Sequence, residues 1–223
     1  MEFLVLLLIS CVSTFAHPDL QNSIWSFAFQ SPHNEEAPDF LERNKFDVPS
    51  IFVIDLEARF SGDAMLVGED SSGFFGLRKR ELDDLTQAQK SQIQKMKVDW
   101  AVMKYPPHEN WGNKKKRRQS LAVVISFGRP SVEKVPYFIG FLYSKNAKPG
   151  VYYVPSRFKK VGRYTSLGHL PQGQFKSETI DLKKHFIKAF PGVAYPGVSG
   201  LVLEVDTRSM SGVGAIRSIE FQR

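Results

Sequence analysis

Hydrophobic and polar residues alternate along much of this chain with a period of two, the signature of strands that have one dry and one wet face. The clearest run is Ile51–Phe60. There Phe52, Ile54, Leu56, Ala58 and Phe60 share one side, and Asp55, Glu57 and Arg59 the other. Ile24–Phe29 sets Trp25, Phe27 and Phe29 against Ser26 and Ala28, and Val98, Trp100 and Val102 alternate with Asp99, Ala101 and Met103. Leu121–Phe127 and Tyr137–Tyr143 are nearly continuous apolar runs, as expected of central strands covered on both faces. Shorter strands are predicted at Ala64–Gly68, Phe74–Leu77, Val151–Val154 and Gly162–Leu167. At the end, Leu201–Val205 and Ala215–Phe221 flank a polar, Gly-rich link, and Gly200–Phe221 is predicted to be the closing hairpin of a sheet.

Residues 30–49, rich in Pro, Asn and acids, read as a connecting loop, and Arg80–Lys97 as a surface helix or a long loop. One helix is well marked. Asp181 serves as N-cap, Leu182, His185, Phe186 and Phe190 lie on one side, and Pro191-Gly192 stops it. About ten strands with one or two short helices, and no alternation of strand with long helix, predict an all-β chain. The expected architecture is an antiparallel β-sandwich of the jelly-roll, galactose-binding-like kind, one domain over residues 17–223.

Composition supports a packed core, since 42% of residues are hydrophobic and 18 are Phe. The apolar run at residues 3–9 is too short to span a bilayer. With Thr14-Phe15-Ala16 after it, it reads as a signal peptide over residues 1–16, although its first residues carry Glu2 and no Lys or Arg. The alternative is a lipoprotein signal at Leu8-Ile9-Ser10-Cys11, with Cys11 lipidated. Cleavage after Ala16 removes the single cysteine, leaving no disulfide, thiolate nucleophile or Cys-based metal site. The expected location is therefore periplasmic or secreted, or lipid-anchored if Cys11 is modified, with no transmembrane segment in the mature chain. The net charge of +7 suits an anionic polymer or lipid head groups. Apart from Lys114–Arg118 the charge reads as spread along the chain. Behind an export signal that basic run reads as a solvated loop, and nucleic acid is not an expected partner.

Several segments in order resemble an exported bacterial family known as domain of unknown function 3047. They are Leu66–Leu77, Val98–Lys104, Glu109-Asn110-Trp111, Ser120–Gly128, Phe138–Tyr143, Ser177–Phe190 and Gly200–Phe221. The resemblance covers about residues 24–222. It implies a jelly-roll fold similar to carbohydrate-binding modules and an envelope setting, but no reaction and no site residues. Arg208 departs from the family, where an acid commonly follows Asp-Thr, and Lys114–Arg118 replaces a stretch that is often acidic.

Candidate chemistry is sparse. Glu204 and Asp206 share one strand face, as acids of jelly-roll glycosidases do, but the next position of that face is Arg208. A hydrolase using Asp99, Glu204 or Asp206 is the alternative to a non-catalytic binding protein, and an envelope structural or assembly protein is a further one. Ser131-x-x-Lys134 and Ser156-x-x-Lys159 lack the helix and companion motifs that a Ser-Lys nucleophile needs. Gly212-Val213-Gly214 reads as a turn. His17, His33, His108, His169 and His185 show no metal-ligand spacing. Glu69, Asp70 and Asp206 are the oxygen donors for a structural Ca²⁺ if their turns meet; no other cofactor is expected. Trp111, in a polar loop beside Asn110, is the leading sugar-stacking residue. Tyr105, Tyr152, Tyr153 and Tyr164 are candidate partners, whereas Trp25 and Trp100 read as core. The expected ligand is a polysaccharide or an anionic envelope component.

Overall fold

The computed structural model describes residues 22–31, 35–47, 58–68, 74–79, 82, 84–128, 135–206 and 212–223. The leader with Cys11, most of Ile51–Phe60, Glu69, Asp70, the Ser131–Lys134 motif and Arg208 lie outside them. The described chain runs β1 (Ser23–Ala28), α1 (Ala37–Arg43), β2 (Phe46–Asp47), β3 (Ala58–Ser61), β4 (Ala64–Val67), β5 (Phe74–Lys79), α2 (Gln87–Gln92) and β6 (Lys95–Lys104). It continues with β7 (Gln119–Phe127), β8 (Tyr137–Leu142), β9 (Tyr152–Tyr153), β10 (Gly162–Ser166), β11 (Lys176–Asp181), α3 (Leu182–Ala189), β12 (Val198–Asp206) and β13 (Val213–Gln222).

These strands form a β-sandwich. One sheet has the order β11-β6-β13-β4-β3, with β1 also pairing β13; the other is β2-β5-β12-β7-β8-β10-β9. The main core lies between them. Leu121, Val123, Ile125 and Phe127 face inward from β7, while Met96, Val98 and Trp100 from β6 and Ile216, Ile219 and Phe221 from β13 close from the opposite sheet. Burying each such side chain contributes about 1.5–3 kcal/mol, which is why the alternation of Val98, Trp100 and Val102 in β6 settles which face of that strand turns inward.

Three expectations are corrected. Gly200–Phe221 is not a hairpin, because β12 and β13 lie in different sheets: β12 pairs β5 and β7, and β13 pairs β1, β4 and β6. Alternation reports which residues face inward but says nothing about the neighbouring strand, so two consecutive strands read the same whether they pair or cross the core. Residues 30–49 include α1, whose Phe40 and Leu41 are buried, and β2. Their polar content hid a helix only two turns long. The pairing is antiparallel except at β8–β10, which is parallel because the two-residue strand β9 takes the outer edge.

The helix at 182–189 forms as expected. The Asp181 carboxylate accepts from the Lys184 amide at 2.8 Å, a cap contributing about 1 kcal/mol. Leu182, Phe186 and Ala189 are buried. Phe186 packs its ring against Phe127 at 5.0 Å and Phe190 at 5.1 Å. Within Arg80–Lys97 the described residues include the short helix α2, capped by a reciprocal Thr86–Gln89 box, and the start of β6.

Candidate functional site

A second, smaller apolar cluster covers the outer face of the seven-stranded sheet. It joins Trp111, Ala122, Val124, Leu142 and Ala147, with Phe138, Tyr153, Tyr164 and Val202 packed on it. Register explains how its rings are seated. In the β8–β10 pair Tyr164 stands opposite Gly140, and Phe138 opposite Gly162. A Cβ on Gly140 would fall 2.5 Å from the Tyr164 ring, and one on Gly162 would fall 2.4 Å from the Phe138 ring. Each aromatic therefore lies flat over the glycine of the neighbouring strand, a place no side chain would leave free.

The rings form a row across the sheet. Tyr153 meets Trp111 at 5.3 Å, Trp111 meets Tyr164 at 6.0 Å, Tyr164 meets Phe138 at 6.1 Å, and Phe138 meets Phe158 at 6.1 Å. From Trp111 to Phe158 exposure rises. Trp111 is 2% exposed, Tyr153, Tyr164 and Phe138 are half-buried, and Phe158 is 47% exposed.

The loop carrying Trp111 is held by its own polar groups. The Asn110 side chain accepts from the Gly112 and Asn113 amides at 3.0 and 3.2 Å, and Asn113 accepts from the Lys115 amide at 3.0 Å. Glu109 is buried and accepts from Ser144 Oγ at 2.9 Å and from the Lys145 amide at 2.5 Å. Burial pushes its carboxyl above the ordinary range, and those hydrogen bonds act against the shift. Arg117 donates Nε to the Trp111 carbonyl at 3.0 Å and Nη1 to the Val154 carbonyl at 2.6 Å. Its guanidinium lies 5.2 Å from the Tyr153 ring centre. Burial lowers its pKa from the ordinary arginine value.

Beneath the row, Glu204 is 6% exposed. Tyr164 Oη donates to its carboxylate at 2.8 Å, and Gln119 Nε2 donates at 2.5 Å. Asp206, further along β12, is equally buried. Asp99 belongs to β6 in the other sheet, 3.8 Å from Arg217.

The expected site residues thus divide. Trp111, Tyr153 and Tyr164 do come together, but Trp111 is a lid over the sheet, its ring buried between strand and loop. Its indole face is not open to a ligand, which corrects the expectation that it leads the site. Asn110 is exposed, with its carboxamide oxygen engaged in building the turn. Tyr105 is buried elsewhere, donating to the Leu170 carbonyl at 2.8 Å and accepting from the Leu170 amide at 3.0 Å. Tyr152 points to the opposite face and bonds His185 Nδ1 at 2.8 Å; burial raises its pKa to about 12. Asp206 is described, whereas its proposed Ca²⁺ partners Glu69 and Asp70 are not. Among the described residues no group of three His, Cys, Asp or Glu is placed to hold a metal ion. Ser156 and Lys159 lie in an exposed loop with no helix between them. Phe138 and Phe158 had not been singled out. Phe138 sat in an apolar run read as buried on both faces, and its signal was Gly140, two residues on, at an outward position. Phe158 carried no signal beyond being a lone aromatic among cations.

No family model and no curated protein matches the sequence. Solved structures that resemble the fold include a CBM29-2 variant complexed with cellulohexaose, a family 29 carbohydrate-binding module. It has 8% identity and a TM-score of 0.39, over 89% of this chain and 90% of that one. Another is the CBM22-1 xylan-binding domain from Paenibacillus barcinonensis, with 7% identity and a TM-score of 0.38, over 90% and 94%. No helix among the described residues is long and apolar enough to cross a membrane.

Proposed function

We propose that this chain is a non-catalytic binding protein that holds a carbohydrate of the cell envelope across the outer face of its seven-stranded sheet. The observation that carries the reading is the accessible part of the aromatic row, from Tyr164 through Phe138 to Phe158, with buried Trp111 packed behind Tyr164. A sugar ring presents apolar C–H faces that pack on aromatic rings while its hydroxyls stay in water or meet nearby polar groups. Half-buried rings fixed over glycines provide such a platform with little side-chain entropy left to lose on binding.

The carboxylates favour binding over hydrolysis. Glycosidases need an acid and a base or nucleophile open to the scissile bond from opposite sides. Here Glu204 is shielded and tied to Tyr164 and Gln119, and Asp99 belongs to the other sheet. Export to the envelope and membership of the exported family that the segment order resembles belong to the same proposal. They rest on the N-terminal apolar run and on that order.

Affinity electrophoresis through gels containing soluble polysaccharides tests this reading. Retardation by at least one polymer, reduced in Tyr164→Ala, is expected. Unchanged mobility in a panel of neutral and acidic polysaccharides would overturn it.

A further inference from the structure

Charge in this chain is segregated, contrary to the even spread first read from the sequence. Between Glu109 and Glu178 stand fourteen Lys and Arg and one acid, Glu133. The remainder holds sixteen bases against twenty-two acids. The basic segment builds β7 to β10 and their loops, so the excess falls on the sheet that carries the aromatic row.

Its densest parts bracket that row. Lys114, Lys115 and Lys116 are exposed on the loop that roofs Trp111 at one end. At the other end Phe158 sits between Arg157 and the pair Lys159 and Lys160, all exposed. Arg117 ties the two regions together, since one guanidinium bonds the carbonyl of Trp111 and that of Val154, three residues before Arg157. Beside Phe158 a shallow depression of about 500 Å³ is lined by Val135, Ser156, Lys159 and Lys160. No acid lines it.

We propose that the ligand is an acidic polysaccharide, its sugar rings on the aromatic row and its carboxylate or phosphate groups against Lys114–Lys116, Arg157, Lys159 and Lys160. Cations flanking a platform raise the local concentration of a polyanion and speed its capture. An anionic lipid surface offers the same charge, but the Phe158 ring leans edge-on against Phe138 at 79° instead of projecting as an inserted apolar tip. The inference rests on the polysaccharide reading of the row and adds the charge of the ligand.

The test compares polygalacturonate, a neutral glucan and phosphatidylglycerol-containing vesicles as ligands, at low and high salt. The variants are Lys159→Gln with Lys160→Gln, and Lys114→Gln with Lys115→Gln and Lys116→Gln. Binding to polygalacturonate is expected to weaken with salt, and to fall about two- to fivefold for each charge removed. Equal binding of the neutral glucan, unchanged in both variants, would overturn the acidic ligand while leaving the polysaccharide reading intact. Binding to no polysaccharide would overturn both. Binding to vesicles but not polymer would replace the polysaccharide with a lipid surface.

Discussion

Two aromatic assemblies in this molecule use the same residue types for different ends. The first gathers Trp25, Phe27, Phe40, Phe46, Phe60 and Phe221 from β1, α1, β2, β3 and β13, with Phe29 just after β1. Phe27 alone meets Trp25 at 6.1 Å, Phe29 at 4.8 Å and Phe46 at 5.3 Å. Buried Lys79 closes it, its ammonium 4.6 Å from the Phe27 ring centre and bonded to the Asn44 carbonyl. The second is the row on the outer face, in which Tyr164 and Phe138 each touch one ring before and one after and rest on a glycine. The branched cluster buries Phe29, Phe40, Phe46 and Phe221 at its centre and keeps Trp25, Phe27 and Phe60 half-buried at its margin. A row one ring thick keeps one side turned outward, so arrangement separates core from platform where composition does not.

The largest expected effect breaks the first assembly. Phe29 is fully buried, and Phe29→Ala should cost about 3–5 kcal/mol in urea unfolding. Polysaccharide affinity per folded molecule should stay unchanged. A matching loss of affinity would mean that the two assemblies are not separable. Next, Gly140→Ala forces a Cβ against the Tyr164 ring. It should cost about 1–3 kcal/mol by overpacking and also weaken polysaccharide binding, because the ring must leave its seat. Stability lost with binding intact would show that Tyr164 is not part of the platform.

A smaller effect, outside both assemblies, is read by pH at α3. His185 packs edge-on against Phe141 at 5.1 Å and bonds Tyr152, and burial lowers its pKa. Asp181 acts against the shift, while Lys188 and Lys184 add to it. The folded chain then binds fewer protons than the unfolded chain. The contribution is present above the unfolded value of about 6.5 and is lost as pH falls through the folded one. Melting temperature should drop between pH 7 and pH 5, and His185→Gln should shrink that slope. An unchanged slope in the variant would assign the pH dependence to other groups.

Much of the sandwich was legible. Alternation in Val98–Met103 marks the inward face of β6, and the apolar run Leu121–Phe127 marks β7 as a central strand covered on both faces, because burial is a local property of a strand. Asp181 and Pro191-Gly192 mark the α3 ends for the same local reason. Pairing was not legible. Whether β12 bonds β13 or crosses to the other sheet depends on strands distant in sequence, and the parallel β8–β10 contact depends on where β9 falls. The site was half legible. Trp111, Tyr153 and Tyr164 were singled out and do meet, but a loop tryptophan beside asparagines reads the same whether it faces solvent or roofs a sheet. The choice is made by Arg117 and Glu109, through bonds to Val154, Ser144 and Lys145 that no local pattern announces.

The central claim is that the exposed end of the row holds ligand. Phe158 is the residue to change, since it is exposed and its φ of 56° favours glycine. Phe158→Gly should keep stability within about 1 kcal/mol of the parent, relief of strain offsetting the added freedom of the unfolded chain. Binding isotherms of parent and variant with the best-retained polysaccharide are therefore the most direct measurement. A severalfold weaker affinity at unchanged melting temperature is predicted. Equal affinity in the two proteins would contradict the account.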